Sequence, residues 1–294
     1  MKENSSIGII GGSGFKEIVS LTNRREVIVE TPFGAPSAPL VTGEIGGVPV
    51  VFVQRHGLGH VTLPSEINVR ANIAALKLAG ARHVLSFSAV GSLAEKAPPG
   101  TFVIVSQFLD RTYLRKNTFF GDGIVAHVPF GDPVCPDLAG LVACCAAEAD
   151  IPVLSEGTYV VMEGPQFSSR AESEFHRSIG GTVIGMTAMP EPKLCREAEM
   201  CYSMIGMVTD FDCWHDGHDD VTADAVSAAM VANREKAERL LTEVVARIGD
   251  RAGACSRGCR TALDGAIMTD LSLIPRNKRQ SLNFLLSRVL EAST

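Results

Sequence analysis

The residues best placed to do chemistry lie in Thr209-Asp210-Phe211-Asp212-Cys213-Trp214. They follow Ser203 to Val208, an apolar run that reads as a buried strand. Side chains two apart at a strand end point the same way, so Asp210 and Asp212 are expected to face one pocket while Phe211 packs behind. A carboxyl between apolar neighbours is poorly solvated, which favours its protonated form and suits a group that hands a proton to a leaving group at neutral pH. The competing reading is that both Asp residues only solvate a strand end or cap the following helix, since most Asp lies at surfaces.

Other polar residues stand at the ends of other apolar runs. Ile7 to Ile10 leads into the turn Gly11-Gly12-Ser13-Gly14, which matches neither a Walker loop nor a dinucleotide fingerprint but can aim backbone N–H groups at an anion. Val50 to Gln54 ends in Arg55-His56-Gly57, a cation and an imidazole ahead of a glycine. His83 to Phe87 ends in Ser88-Ala89-Val90-Gly91-Ser92, Gly157 to Met162 in Glu163-Gly164-Pro165-Gln166-Phe167-Ser168, and Thr182 to Gly185 in Met186-Thr187.

The elements that must position these groups alternate along the chain. Strands are expected at 7–10, 25–30, on both sides of Gly46-Gly47, and at 83–87, 103–108, 157–162, 182–185 and 203–208. Helices are expected from Pro64-Ser65-Glu66 to Gly80 with Ile67, Ala71, Ala74, Ala75 and Leu78 buried, and at 138–148, 170–178, 191–201, 222–248 and 276–290. Val226, Ala229, Met230 and Ala237 share the buried face of the longest. Residues 111–136, with His127-Val128-Pro129, form a long loop of the kind that serves a site or an interface. The pattern implies an α/β fold with a mainly parallel mixed central sheet flanked by helices, in one domain over 1–248 with a C-terminal helical extension over 249–294 after the linker Gly249-Asp250-Arg251-Ala252-Gly253. In such folds ligands bind at the carboxyl ends of strands, where all of these groups fall.

Composition narrows the partner. The chain has 294 residues, a net charge of -6 and 20% charged residues, an ordinary globular make-up with no basic excess for nucleic acid or an acidic membrane. The N-terminal residues carry neither a signal peptide nor an anchor, so a cytoplasmic location is expected. The eight cysteines include no C-x-x-C pair, which argues against a zinc ribbon. His215-Asp216-Gly217-His218-Asp219-Asp220 offers ligands for a divalent metal, but fits no metal motif and reads equally as a solvated acidic loop ahead of a helix; no metal site is expected.

Hydroxyls, Arg, His and a glycine turn suit a phosphate-sized anion, Phe167 and Met186 suit a ring and a sugar, and Asp210 suits a proton donor. One reaction uses all three: phosphate attacks C1′ of a nucleoside and the protonated purine leaves through an oxocarbenium-like state.

With these motifs, and with Thr31-Pro32-Phe33-Gly34, Asn68-Val69-Arg70-Ala71-Asn72-Ile73 and Glu163 to Glu172, the chain from about Ser6 to about Arg247 resembles the 5′-methylthioadenosine phosphorylases of the trimeric purine nucleoside phosphorylase branch. The resemblance implies a nucleoside phosphorylase-like fold, salvage of purine and methionine, a homotrimer or a hexamer made of two trimers, and no metal or organic cofactor, inorganic phosphate being a co-substrate. It implies phosphate binding by Ser13, Arg55, His56, Ser88, the backbone at Ala89, and Thr187; family members usually carry Thr at the position of Ser13 and often at that of Ser88. Met186 would meet the ribose hydroxyls and Phe167 the base and ribose. Asp210 would protonate purine N7, and Asp212 and Ser168 would read the 6-amino side of adenine. The 5′ end would meet Ala223, Val226 and Ser227, with His127 from a neighbouring subunit. Small residues at 223 and 227, where relatives often carry larger aliphatics, leave a broader purine nucleoside or methylthioinosine phosphorylase as the alternative, with a non-catalytic nucleoside-binding protein more distant. Some relatives carry a C-terminal disulfide in a C-x-C pair; the wider Cys255–Cys259 spacing allows a local bridge that a reducing compartment disfavours.

Overall fold

A computed structural model describes residues 6–12, 15, 17–215, 222–249 and 255–292. Strands and helices follow in the order β1 (Ser6–Gly11), β2 (Thr22–Val27), β3 (Leu40–Ile45), β4 (Val48–Gln54), α1 (Val69–Leu78), β5 (Ala81–Ser92), β6 (Phe102–Val105), β7 (Gln107–Asp110), α2 (Pro136–Glu148), β8 (Val153–Leu154) and β9 (Thr158–Val161). Then come α3 (Arg170–Ser178), β10 (Val183–Gly185), α4 (Glu191–Glu197), β11 (Cys201–Asp210), α5 (Ala223–Gly249), α6 (Arg276–Ser281) and α7 (Asn283–Ala292).

One mixed sheet runs β2-β3-β4-β1-β5-β10-β9-β7, and β11, β6 and β8 branch from β5. The parallel core β4-β1-β5-β11 is made of near-continuous apolar runs, and α1, α2, α4 and α5 pack against its strands. β5 is the branch point. It pairs with β1 from Ser6↔Ala81 to Gly11↔Phe87, loses it there, and gains β10 only at Ile184↔Gly91. Residues 88–90 therefore have no strand partner on that edge, while β11 stays paired on the other side as far as Asp210↔Gly91. Gly46 and Gly47, at φ 57 and 82, make the two-residue turn between β3 and β4 that only left-handed backbone closes without strain.

Several expected boundaries shift. The 103–108 strand is two, because Ser106 turns the chain onto Gly157 and sends β6 to β11 and β7 to β9. The exposed edge strand β2 sits at Thr22–Val27, where it pairs with β3, rather than at 25–30. The helix expected to reach Cys201 stops at Glu197, with Glu199 left-handed at φ 55, and Cys201 already belongs to β11. The last helix breaks at Leu282 into α6 and α7. On α1 the buried residues include Ala71, Ala74 and Ala75 as expected, but Leu78 is exposed at the helix end. Leu263, Ile274, Leu282, Leu285 and Leu286 of the C-terminal segment are buried in the same cluster as Val84 and Met204, so that segment packs into the core. Among the described residues no helix is long and apolar enough to cross a membrane.

Candidate active site

A cavity of about 520 Å³ opens where β5 loses β1 and has not yet gained β10. Ser88, Ala89, Val90 and Gly91 line it, and the ends of β4, β10 and β11 and the first turns of α5 close around it. Of the residues expected at a site, Arg55, His56, Ser88, Ala89, Phe167, Met186, Thr187, Asp210, Asp212, Ala223, Val226 and Ser227 all line this one cavity. Ser13 lies outside the described residues, as do Asp216 to Asp220 of the acidic loop.

One end is built for an anion. Arg55, 1% exposed, donates from Nε to Glu191 Oε1 at 2.6 Å, from one terminal nitrogen to Ser86 Oγ at 2.6 Å and from the other to the Phe87 carbonyl at 3.0 Å. Glu191 also accepts from Ser86 Oγ at 2.7 Å and from the Tyr202 hydroxyl at 2.9 Å. Burial works against the charge of Arg55, but the Glu191 carboxylate outweighs it and holds the guanidinium pKa above its ordinary value. Ser88 Oγ and Thr187 Oγ1 lie 3.1 Å apart, both buried, and form a pair of hydroxyls beside it. His56 Nδ1 lies 3.1 Å from the Thr62 carbonyl, which can only accept, so Nδ1 carries the hydrogen and Nε2 is an acceptor. Burial, then the neighbouring Arg55 charge and His60, lower its pKa to about 4, so the ring is neutral at pH 7. The His60 ring stacks on it at 4.1 Å between centroids.

At the other end β11 delivers two carboxylates, but not by strand alternation. The β5–β11 register shifts between Val208 and Asp210, and this bulge turns Asp210 inward. Asp210 Oδ2 accepts from Thr209 Oγ1 at 2.7 Å and Oδ1 accepts from the Asp212 N–H at 2.8 Å. Asp212 is beyond the strand, in a left-handed turn at φ 50, and its Oδ2 accepts from Ser173 Oγ at 2.6 Å. Gly91 makes room: a Cβ there would lie 2.9 Å from Asp210 Oδ1. The carboxyl whose pKa is raised is Asp212, chiefly by burial, with the Ser173 hydroxyl opposing and the Asp210 charge adding to it. Asp210 is thus held at both oxygens, by the Thr209 hydroxyl and the Asp212 N–H, with its side chain aimed into the cavity. Phe211 is buried behind, edge-on to Trp214 and stacked on His215. Ser168 is not in the cavity wall; its hydroxyl sits 3.8 Å from Met162 Sδ and close enough to Asp212 to oppose its pKa rise.

Ala223, Val226, Ser227 and Met230 form the third side; Met230 is buried, Val226 half-buried, Ala223 and Ser227 exposed at the mouth. His127 is exposed on the long loop, where its N–H donates to the Ala266 carbonyl at 2.9 Å, and is not part of this chain's cavity.

Glu191 was not visible as a site residue. A Glu in the first turn of a helix reads as a solvated charge facing the helix dipole, and only tertiary packing buries it to 1% against Arg55. The arrangement can hold an oxyanion, a flat ring and an ionisable nitrogen in one line.

The family model of the phosphorylase superfamily matches residues 6–246. A protein of Geobacter sulfurreducens named S-methyl-5′-thioadenosine phosphorylase is 50% identical over 281 residues, covering 95% of this chain and 97% of its own. A crystal structure of a methylthioadenosine phosphorylase from an antarctic soil metagenomic library superposes with a TM-score of 0.91 at 44% identity, over 97% of this chain and 100% of that one. The methylthioadenosine phosphorylase of Schistosoma mansoni in complex with adenine gives a TM-score of 0.84 at 36% identity, over 90% of this chain and 99% of that one.

Proposed function

Because the chain belongs to the phosphorylase superfamily and, within it, to the S-methyl-5′-thioadenosine phosphorylases, we propose that it cleaves 5′-methylthioadenosine with phosphate, giving adenine and 5-methylthioribose 1-phosphate. The observation that carries this reading is the single cavity with Arg55, His56, Ser88 and Thr187 at one end and Asp210 and Asp212 at the other.

Hydrogen phosphate is bound by the Ser88 and Thr187 hydroxyls, the Ala89 backbone and Arg55, with Ser13 completing the set. The Nε2 of His56 accepts the hydrogen of the phosphate hydroxyl, the partner that a neutral imidazole with its hydrogen on Nδ1 requires. Met186 and Phe167 hold the ribose and base. A phosphate oxygen bonds to C1′ as the C1′–N9 pair withdraws into the purine, and the anion stabilises the cationic sugar between them. Asp210 delivers a proton to N7, and Asp212, with Ser168 behind it, takes the 6-amino group. Across the whole reaction the proton lost by hydrogen phosphate balances the one gained by adenine. The chemistry asks for no metal or organic cofactor.

Val226 and Met230 favour a thioether at the 5′ end, while the exposed Ser227 and Ala223 leave room for a hydroxyl, so adenosine is a secondary substrate. We take the protein to work in the cytoplasm, in purine and methionine salvage, as a homotrimer in which a neighbour's loop brings His127 to this mouth. Exposed Tyr113, Leu114 and Val125 on the same loop support such a contact. The test is adenine release from 5′-methylthioadenosine with and without phosphate. Release that needs phosphate and yields the sugar 1-phosphate is expected; equal rates in phosphate-free buffer overturn the reading.

A further inference from the structure

Four cysteines that the reaction does not use converge at the opposite end of β11 from Asp210. Cys135 stands immediately before α2, Cys201 opens β11, and Cys255 and Cys259 flank the turn that leads into the C-terminal segment. Their sulfurs all lie within 4.8 Å of one another, and Cys135 Sγ is 3.5 Å from Cys255 Sγ. A tetrahedral zinc ion with Zn–S bonds of about 2.3 Å sets its sulfurs roughly 3.8 Å apart. The thiols stand near that spacing already, whereas a disulfide requires about 2.05 Å.

Three further features fit a metal. Cys255 and Cys259 stand at C-x₃-C, within the C-x₂₋₄-C range of zinc ligand pairs on a knuckle turn. The turn between them is shaped like one: the Arg257 N–H donates to Cys255 Sγ at 3.4 Å, the Gly258 N–H donates to the Cys255 carbonyl at 3.2 Å, and Gly258 is left-handed at φ 65. A backbone N–H on a sulfur stabilises the thiolate that a metal needs. Arg260, next to Cys259, buries its Nε with no acceptor among the described residues. Four thiolates on Zn²⁺ carry a charge of −2, which suits a half-buried arginine adjacent in sequence to one of them. Cys135, Cys201 and Cys259 are buried and Cys255 half-buried, so all four positions are filled by protein, the closed arrangement of a structural rather than a catalytic zinc.

We propose that Cys135, Cys201, Cys255 and Cys259 bind one zinc ion that fastens the C-terminal segment to the core. Each thiol gives up its proton to form a Zn–S bond; no oxidant is needed, and the sulfurs keep their oxidation state. The ion joins three stretches far apart in sequence, among them the segment that holds the His127 loop through Ala266.

The test begins with protein purified under reducing conditions without chelator. Elemental analysis should find one zinc per chain. Metal-free reduced protein titrated with Co²⁺ should saturate at one equivalent with the thiolate charge-transfer and intense visible bands of a tetrahedral tetrathiolate, and Zn²⁺ should bleach them. Cys255→Ser and Cys259→Ser should lose that spectrum, and Cys144→Ser, at an exposed thiol outside the cluster, should keep it. Zinc should raise the melting temperature of the wild type. The wild-type titration needs no variant to fold. Absence of Co²⁺ binding by the reduced wild type, the same melting temperature with and without zinc, binding that survives Cys259→Ser, or a disulfide among the four in freshly purified, alkylated protein overturns the proposal.

Discussion

Arg55 Nε and Glu191 Oε1 meet at 2.6 Å with both side chains almost wholly shut off from solvent, at 1% and 2% exposure. A guanidinium so held points its remaining N–H in a fixed direction, because Phe87, Ser86 and Glu191 occupy the others. Glu191→Gln removes the charge that balances Arg55 and should raise the KM for phosphate by about tenfold, roughly 1.4 kcal/mol, while the KM for the nucleoside stays within about twofold. Equal effects on both constants would place Glu191 outside the anion site. Glu191→Ala, which strands a buried cation, should destabilise the fold by about 3–5 kcal/mol, read from urea unfolding.

Asp210→Asn can keep its surroundings. The Asn oxygen accepts from the Asp212 N–H, and its NH₂ donates to Thr209 Oγ1, whose hydroxyl turns to the Val90 carbonyl 3.2 Å away. What is lost is the proton. Turnover of 5′-methylthioadenosine should fall by about 10²–10⁴, and turnover of a 6-oxo nucleoside by much less, since Asn can hydrogen-bond N7 and O6 together. Unchanged turnover of the 6-amino substrate would remove Asp210 from the chemistry.

Gly91→Ala tests the bulge. The new Cβ would stand 2.9 Å from Asp210 Oδ1 and 3.2 Å from Ile184 Cγ2, so the carboxylate must move. A kcat loss of about 10²-fold is expected from misplacement on this scale, with the KM for phosphate held. A wild-type kcat would mean that the position of Asp210 is not critical.

Ser227→Leu addresses the 5′ end. An apolar wall penalises a hydroxyl by about 1–3 kcal/mol when it is sealed, and here two of its residues are exposed at the mouth. The preference of the wild type for 5′-methylthioadenosine over adenosine should therefore be modest, about tenfold in kcat/KM. Ser227→Leu should widen it by closing the wall and removing a hydroxyl. An unchanged ratio would separate this face of α5 from the substrate.

Acid should weaken the fold through two histidines. Burial first, then nearby Arg charge, lowers His56 and His83 from the ordinary 6.5 to about 4. Between those values the unfolded chain binds protons that the folded one refuses, so stability falls as pH drops from about 6.5 to about 4 and is level above 6.5 with respect to these groups. Urea midpoints over that window should slope downward toward acid, and His83→Gln should flatten the slope; an unaltered slope would show that His83 is not buried neutral.

How far the sequence could be read depended on whether a residue's setting is local. Arg55-His56, Ser88 and Thr187 announce themselves because each ends an apolar run, and strand ends in α/β folds gather at one edge. Asp210 stands out for the same reason, although its aim comes from a bulge at Thr209 and an Asx turn to Asp212 that no alternation predicts. Glu191 and Tyr202 stayed hidden, since nothing near them in sequence marks a charge or hydroxyl as buried against Arg55. The break at Ser106 and the meeting of Cys135, Cys201, Cys255 and Cys259 were hidden likewise: both depend on partners dozens of residues away.

The stretch of β5 without a partner at 88–90 has a bearing on how this protein can change. The cavity there is a fork in the backbone pairing, between the end of β1 and the start of β10. It is not a hollow left by small side chains. A hollow of that kind fills or collapses when a lining residue is exchanged; a fork stays open as long as the two branches keep their register. Phe167, Val226 and Ser227 can thus be varied to admit a different base or 5′ group while the fork endures, and new specificities should be obtainable here at little cost in folding. The same substitutions at Gly11, Phe87 or Ile184, where the branches are stitched to β5, would close the opening itself.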